Sequence, residues 1–412
     1  METPAATPHS HRLYALDNLR ALMMWLGIVL HVAANHLTGP MLVPWRDQAT
    51  SPLADLLSAV IHVFRMPVFL ILAGYFVALL VERRGAAQML RHRMRRIALP
   101  FVVFWPILFA LMGLVVVLYA HRVERGTFGF AAEVVPRFPN VPLINTMHMW
   151  FLYQLIGFVL LTYAALRLAP RLPQGLRRRI AGAFRLLGER AWGFVVLALP
   201  LGFIGAQYSF GILTVTGSFV PPLNEWLHHG LFYTFGYFLY LHRQSLLALY
   251  TRLAVRLSWA GALFCLVSLG LIKEVQIHPD TTGFTFRVLA AWAYNAATWL
   301  WSFALIGLAL RHLSRCSPVL QYMADSSYWV YLVHMLGTIG FGALLYGAPL
   351  PAEVKMLLNI VATTALGLVT YQMLVRNTIV GHLLNGKRVA PPQSPQGSPP
   401  PDSPHPRTSS AK

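Results

Sequence analysis

The stretch Tyr14–His36, YALDNLRALMMWLGIVLHVAANH, decides how the rest of the chain is read. It is long and apolar enough to cross a bilayer as a helix, yet it carries Asp17, Arg20 and His31 where lipid would penalise them. An ionisable group inside a membrane helix is costly and marks a functional path by default. Arg20 and His31 are separated by about 16 Å of helical rise and by three turns plus roughly 20°, so they share one face. Asp17, Met24 and Asn35 fall on the same stripe, and Asp17 stands one turn before Arg20, placed to pair with it. This polar seam must face protein or water rather than lipid. A blander reading has Arg20 snorkelling to the interface and His31 satisfied by a neighbouring helix. That reading serves each residue singly, but not both together with their acid partner.

The rest of the chain has the same membrane character. Of its 412 residues 56% are hydrophobic and only 11% charged, with a mean hydropathy of +0.55, which places it among polytopic membrane proteins rather than soluble ones. Ten segments are expected to span as helices: 14–36, 53–80, 98–120, 148–168, 191–207, 226–241, 258–273, 286–311, 327–347 and 355–376. The expected fold is therefore an all-α bundle of about ten transmembrane helices. Its parts are a short N-terminus over 1–13, a transmembrane domain over 14–376, and a tail over 377–412 that is Pro/Ser-rich and disordered from about 389.

A net charge of +19 raises the question of nucleic acid, but the placement of the charge answers it. Of 33 Lys and Arg, 24 fall in the N-terminus, the even-numbered connections and the tail, 7 in the odd-numbered connections, and two, Arg20 and Arg65, within helices. The positive-inside rule then puts both termini in the cytoplasm and makes the basic excess a topology signal, with no nucleic-acid partner implied. METPAATPHSHR lacks the pattern of a cleaved signal, so the first helix is expected to remain. Cys265 and Cys316 are the only cysteines. No zinc-type spacing, P-loop or dinucleotide fingerprint occurs, so no metal is expected.

In the second span, IHVFRMPVFLILAGYF sets His62 and Arg65 three residues apart on one face with Pro67 just beyond. A proline there is expected to kink the helix beside a buried cation. The connection that follows, ERRGAAQMLRHRMRRIALP, is dense in Arg. Such a segment ordinarily lies on anionic headgroups. Arg93 and Arg96, three apart, would instead point into one site as the third span begins, and paired guanidiniums suit phosphate. NTMHMWFLYQL brings His148 and Trp150 to the start of the fourth span, where Trp is commonly an interface anchor. NEWLHHGLFYTFGYF is rich in rings that either pack as core or line a sugar site. SSYWVYLVHMLG puts Ser327, Tyr331 and His334 on one stripe. A lone intramembrane His is also often a satisfied core residue.

These pieces, LDNLRALMMWLGIVLH with its Arg-x10-His, IHVFRMPVFLILAGYF, RMRRIALP, HMWFLYQL and SSYWVYLVH, occur in the order in which the membrane acyltransferase 3 family carries them. The chain resembles that family over most of residues 14–340, and within it the branch that succinylates periplasmic glucans. The resemblance implies a multi-pass enzyme of the bacterial inner membrane. Such an enzyme passes an acyl group, succinyl or acetyl, from cytosolic acyl-CoA to a saccharide hydroxyl on the outer side, with glucan-synthesis proteins as possible partners and no permanently bound cofactor. On that reading Arg93 and Arg96 dock the donor's phosphates and Arg65 lies along its path. His31 is the general base, or carries the acyl group itself. Arg20, oriented by Asp17, either holds the donor or stabilises negative charge on the carbonyl oxygen. His62, His148, Trp150, Tyr331 and His334 are expected at the substrate. The competing class is a transporter that uses the intramembrane Arg and His as a substrate or proton path. Against it, the two halves of the chain show no obvious repeat.

Overall fold

A computed structural model describes residues 8–39, 45–135, 142–208, 211–315 and 317–385. Among these the protein is all-helical and has no strand. The helices are α1 (Pro8–Ala33), α2 (Pro52–Arg84), α3 (Ala86–Arg93), α4 (Leu99–Arg125), α5 (Trp150–Leu168), α6 (Gln174–Glu189), α7 (Gly193–Gly205), α8 (Leu223–Leu241), α9 (Arg243–Ile277), α10 (Phe284–His312), α11 (Pro318–Leu345), α12 (Ala352–Thr370) and α13 (Ile379–Asn385). Cys316 and the Pro/Ser-rich part of the tail lie outside the described residues, whereas α13 shows that the segment after 376 begins with a short helix.

Each of the ten expected spans falls on a helix, and eight helical stretches are long and apolar enough to cross a membrane. Two differ from the simple picture. The fifth, α7, is bent by 104° from α6 at a short break, so the pair makes at most one broken span. The sixth, α8, has membrane length but carries Glu225, His228 and His229, all buried inside the bundle rather than offered to lipid. Pro67 lies within α2, which remains helical from Pro52 to Arg84.

Burial ranks the helices by depth. The most apolar windows of α10 and α2 are 78% and 72% buried, against 22% for α9 and 28% for α12, so α2 and α10 form the centre and the others face lipid. The core between α8 and α10 is aromatic: Phe232, Phe235, Trp299 and Phe303 pack ring against ring. Polar side chains of α1 and of the turn that follows it stitch the first span to the bundle by donating to main-chain carbonyls. Asn18 bonds Leu313 O (2.9 Å), Trp25 bonds Met323 O (3.2 Å) and Asn35 bonds Thr338 O (3.2 Å). Where water is absent, such bonds satisfy groups that lipid cannot.

Gly74 on α2 and Gly236 on α8 permit the closest helix approach at the centre. A Cβ on Gly236 would fall on the carbonyl of Ile71, and one on Gly74 would lie 2.9 Å from Tyr237 N. Backbone cannot move aside as a side-chain tip can, so Gly236→Ala is expected to cost about 1–3 kcal/mol of stability, the scale of core overpacking. A lower melting temperature in detergent checks this. Gly113→Ala, where a Cβ meets nothing within 4 Å, is the neutral control.

Candidate active site

At the end of the bundle where α1, α4 and α11 begin, a cavity of about 470 Å³ is lined by Asp17, Arg20, His92, Arg93 and Arg96, with Met24 and Ser327 at greater depth along α1 and α11. Arg20 pairs with Asp17 at 3.2 Å, and its guanidinium lies 5.6 Å from the Phe76 ring centre. Local backbone geometry places the other two guanidiniums. Between α3 and α4 the turn Met94–Ala98 is widened, with Leu99 N donating to Met94 O five residues back. Such π-turns rotate the following helix relative to the preceding one and recur at functional sites. Its effect here is to split the Arg-rich segment. Arg93 and Arg96 turn into the cavity while Arg91 and Arg95 stay exposed. Arg96 is steadied by Tyr328, whose hydroxyl donates to its main-chain oxygen (3.1 Å), and Arg93 Nε is buried without a protein partner. Three guanidiniums thus face two carboxylates, Asp17 and Asp325.

Further along the seam lies a cluster of imidazoles. His31 on α1 and His334 on α11 have ring centres 5.2 Å apart, and His148 stands 5.5 Å from His334. His148 reaches this depth because the chain before α5 turns back into the bundle. Met147 adopts φ 50°, a conformation that a non-glycine residue holds only under constraint. Its N–H donates to Asn145 Oδ1 (2.8 Å), which holds it there. His148 Nε2 donates to Leu332 O (3.0 Å) and Tyr331 Oη donates to His148 O (2.8 Å), binding the turn to α11. His334 Nδ1 donates to Tyr331 O (2.7 Å). Since carbonyls only accept, these bonds fix both tautomers and leave lone pairs on His148 Nδ1 and His334 Nε2, both buried without a protein partner. His31 is half-buried, and no hydrogen bond to its ring is found among the described residues.

Arg65 joins this cluster rather than the cavity of Arg20, Arg93 and Arg96. Its Nε donates to Met23 O at 2.9 Å, and the guanidinium rests against Gly27, one turn before His31, where a Cβ would lie 3.0 Å from Cζ. His62 and Trp150 stand apart again, in a second, smaller cavity shared with His228, His229, Tyr294 and Asn295. Trp150 stacks on His229, ring centres 5.1 Å apart and planes 26° from parallel. His228, His229, Gln154 and Glu225 are buried and hydrogen-bonded in this region; the segment that carries Glu225, His228 and His229 reads from the sequence as core or as the wall of a sugar site, and Gln154 is not singled out there. For the other three the signal was the polar run NEWLHH opening an otherwise apolar helix.

The protein so defined is a helical membrane protein. Along one buried seam it arranges a cationic cavity, a group of imidazoles with available lone pairs, and a buried guanidinium beside them. This combination suits group transfer, since a neutral imidazole accepts a proton and a fixed cation stabilises oxyanion charge in a low-dielectric site. Comparison with known families agrees: the acyltransferase 3 domain profile matches residues 13–372, and the chain belongs to that family. Curated relatives named glucans biosynthesis protein C, from Salmonella gallinarum and Salmonella paratyphi B, are each 22% identical over 91% of this chain and 95% of their own. No solved structure matches.

Proposed function

We propose that the chain is an O-acyltransferase that moves an acyl group, succinyl before acetyl, from cytosolic acyl-CoA to a hydroxyl of an extracytoplasmic saccharide, a periplasmic glucan in the first instance. The observation that carries this reading is the guanidinium-lined cavity of Arg20, Arg93 and Arg96 continuing past Met24 and Ser327 toward His31. The name of the similar Salmonella proteins supports a glucan acceptor. The charge distribution supports a bacterial inner-membrane protein with both termini in the cytoplasm, which puts the cationic cavity on the side where acyl-CoA is made. Glucan-synthesis proteins would supply the acceptor.

On this reading the donor's phosphates bind Arg93 and Arg96, with Arg20, held by Asp17, as the third cation. The pantetheine arm then runs along the α1 seam to His31, about 16 Å further on. His31 takes the proton of the acceptor hydroxyl. The oxygen adds to the thioester carbonyl, the carbon–sulfur bond breaks, and the thiolate leaves with the proton that the imidazolium returns. Arg65, beside His31, is better sited than Arg20 to stabilise the carbonyl oxygen as it becomes negative. His148, Tyr331 and His334 form the wall around the reacting atoms.

The deciding experiment supplies radiolabelled succinyl-CoA or acetyl-CoA and a β-glucan to protein reconstituted in lipid. Label on the glucan is expected, more from succinyl-CoA. Absence of both transfer and CoA binding in folded protein would overturn the reading and favour a transporter that uses the same charged seam.

A further inference from the structure

The second cavity holds an unusual set of groups. Its volume is about 50 Å³, and His62, Trp150, His228, His229 and Tyr294 line it toward the end of the bundle where α2, α8 and α10 begin. A chain of hydrogen bonds running away from it fixes the state of each buried imidazole. Glu225, 1% exposed, accepts from Thr216 N and Oγ1 (both 2.8 Å) with one carboxylate oxygen and from Gln154 Nε2 (3.1 Å) with the other. A carboxylate accepts only, so the amide nitrogen of Gln154 faces Glu225 and its oxygen faces His229. His229 Nδ1 must then be the donor to Gln154 Oε1 (2.7 Å), which leaves its lone pair on Nε2. The neighbouring ring follows the same logic. Asn295 Nδ2 donates to Ala291 O (2.8 Å), so Asn295 Oδ1 accepts from His228 Nε2 (3.2 Å). His228 Nδ1 therefore carries a lone pair, buried without a protein partner. His62 lines the cavity and is exposed, with no hydrogen bond to its ring among the described residues.

We infer that this cavity is a binding site for the hydroxyl groups of a neutral, polyhydroxylated ligand. The lone pairs that Glu225–Gln154 fix on His229 Nε2 and Asn295 fixes on His228 Nδ1 accept hydrogen bonds and do not give them. Hydroxyl groups, which both give and accept, are matched there, since Tyr294 Oη, Trp150 Nε1 and the His62 ring supply donors beside these lone pairs; those donors are neutral, so no fixed cation favours a phosphate or carboxylate. A cation is not favoured either. Both oxygens of Glu225 are used within the protein, and among the described residues no set of three His, Cys, Asp or Glu converges as metal ligands would. Trp150, one face of which is stacked on His229, and Tyr294 complete the wall. A space of this size admits one or two hydroxyl groups, so the body of the ligand lies outside it. His62 is one helical turn from Arg65 on α2, and Trp150 is two residues from His148, so a hydroxyl held here lies beside the imidazole cluster. Identifying the ligand as the acyl acceptor rests on the function proposed above; the binding itself does not.

The test is calorimetric titration of the lipid-reconstituted protein with a short neutral β-glucan oligosaccharide, and separately with CoA. His229→Phe keeps the ring stacked on Trp150 but removes the lone pair, and His62→Phe changes a side chain that lines the cavity. Each is expected to weaken oligosaccharide binding about tenfold, the scale of one hydrogen bond to a buried acceptor. CoA affinity should stay within twofold, which also reports that the variants fold. Unchanged oligosaccharide affinity in both variants, or no binding to the unmodified protein at millimolar concentration, overturns the assignment. If the oligosaccharide binds as described but neither acyl transfer nor CoA binding is found, the site stands and the acyltransferase reading falls. Wild-type transfer rates in both variants with unaltered oligosaccharide affinity overturn the site and leave that reading standing.

Discussion

His31→Ala is expected to reduce acyl transfer by about 10²–10⁴-fold, the range that a positioned general base contributes, while donor affinity stays unchanged. Two features of the site motivate the size of the effect. The His31 ring is half-buried and no hydrogen bond ties it to the protein among the described residues, so its nitrogens are available to an incoming hydroxyl. Arg65, packed against Gly27 one turn away, sits where oxyanion charge would develop. The cationic cavity proposed for the donor begins near Arg20, about 16 Å along α1, too far for the loss of one imidazole to disturb phosphate binding. Turnover with saturating succinyl-CoA and glucan, paired with CoA titration, reads both quantities. Unchanged turnover would remove His31 as the base and move that role to His334 or His148, whose lone pairs lie in the same cluster. Rapid quenching in the absence of acceptor separates the two roles open to His31. Label that appears on wild-type protein and not on His31→Ala protein marks an acyl-imidazole, and its absence leaves the imidazole as base.

The polar seam of α1 was legible because charge in an apolar run has few bland explanations, and helical spacing alone put Asp17, Arg20 and His31 on one face. Arg93 and Arg96 were legible for a related reason, being three apart at the start of a span. The axial depth of one helix against another was not. Arg65 was expected along the donor path, and its depth, beside Gly27 and His31 and outside the cavity that Arg93 and Arg96 line, could not be read from its own helix. Depth depends on where loops and kinks set each helix, and no local pattern encodes that. His148 was expected at the substrate, near the outer interface. Its position at the middle of α11 depends on the constrained Met147 and on two bonds to residues about 180 positions away in the chain. The Glu225–Gln154–His229 chain drew on two helices separated by about seventy residues, and no periodicity links them. What sequence reading recovered was chemistry carried within one helix. What it missed was chemistry assembled between helices.

Replacing Arg93 and Arg96 together by Ala is expected to weaken acyl-CoA binding by about 10²–10⁴-fold, since each hydrogen bond to a charged phosphate oxygen contributes about 1.5–3 kcal/mol. The Arg-rich segment supplies its own control. Arg91 and Arg95 are exposed and do not line the cavity, so Arg91→Ala and Arg95→Ala together should leave donor affinity within twofold while removing the same formal charge. A general electrostatic attraction to the basic segment would make the two pairs equal, and a site would make them differ. Salt separates the same alternatives: exposed charges are screened within about 10 Å at 0.1 M, whereas guanidiniums enclosed with the phosphates keep most of their effect. The loss should appear in KM, with kcat at saturating donor falling much less, because Arg93 and Arg96 grip a part of the donor that does not react. Equal losses for the exposed and enclosed pairs would place the donor at the membrane surface. A fall in kcat alone would move these guanidiniums to the reacting end.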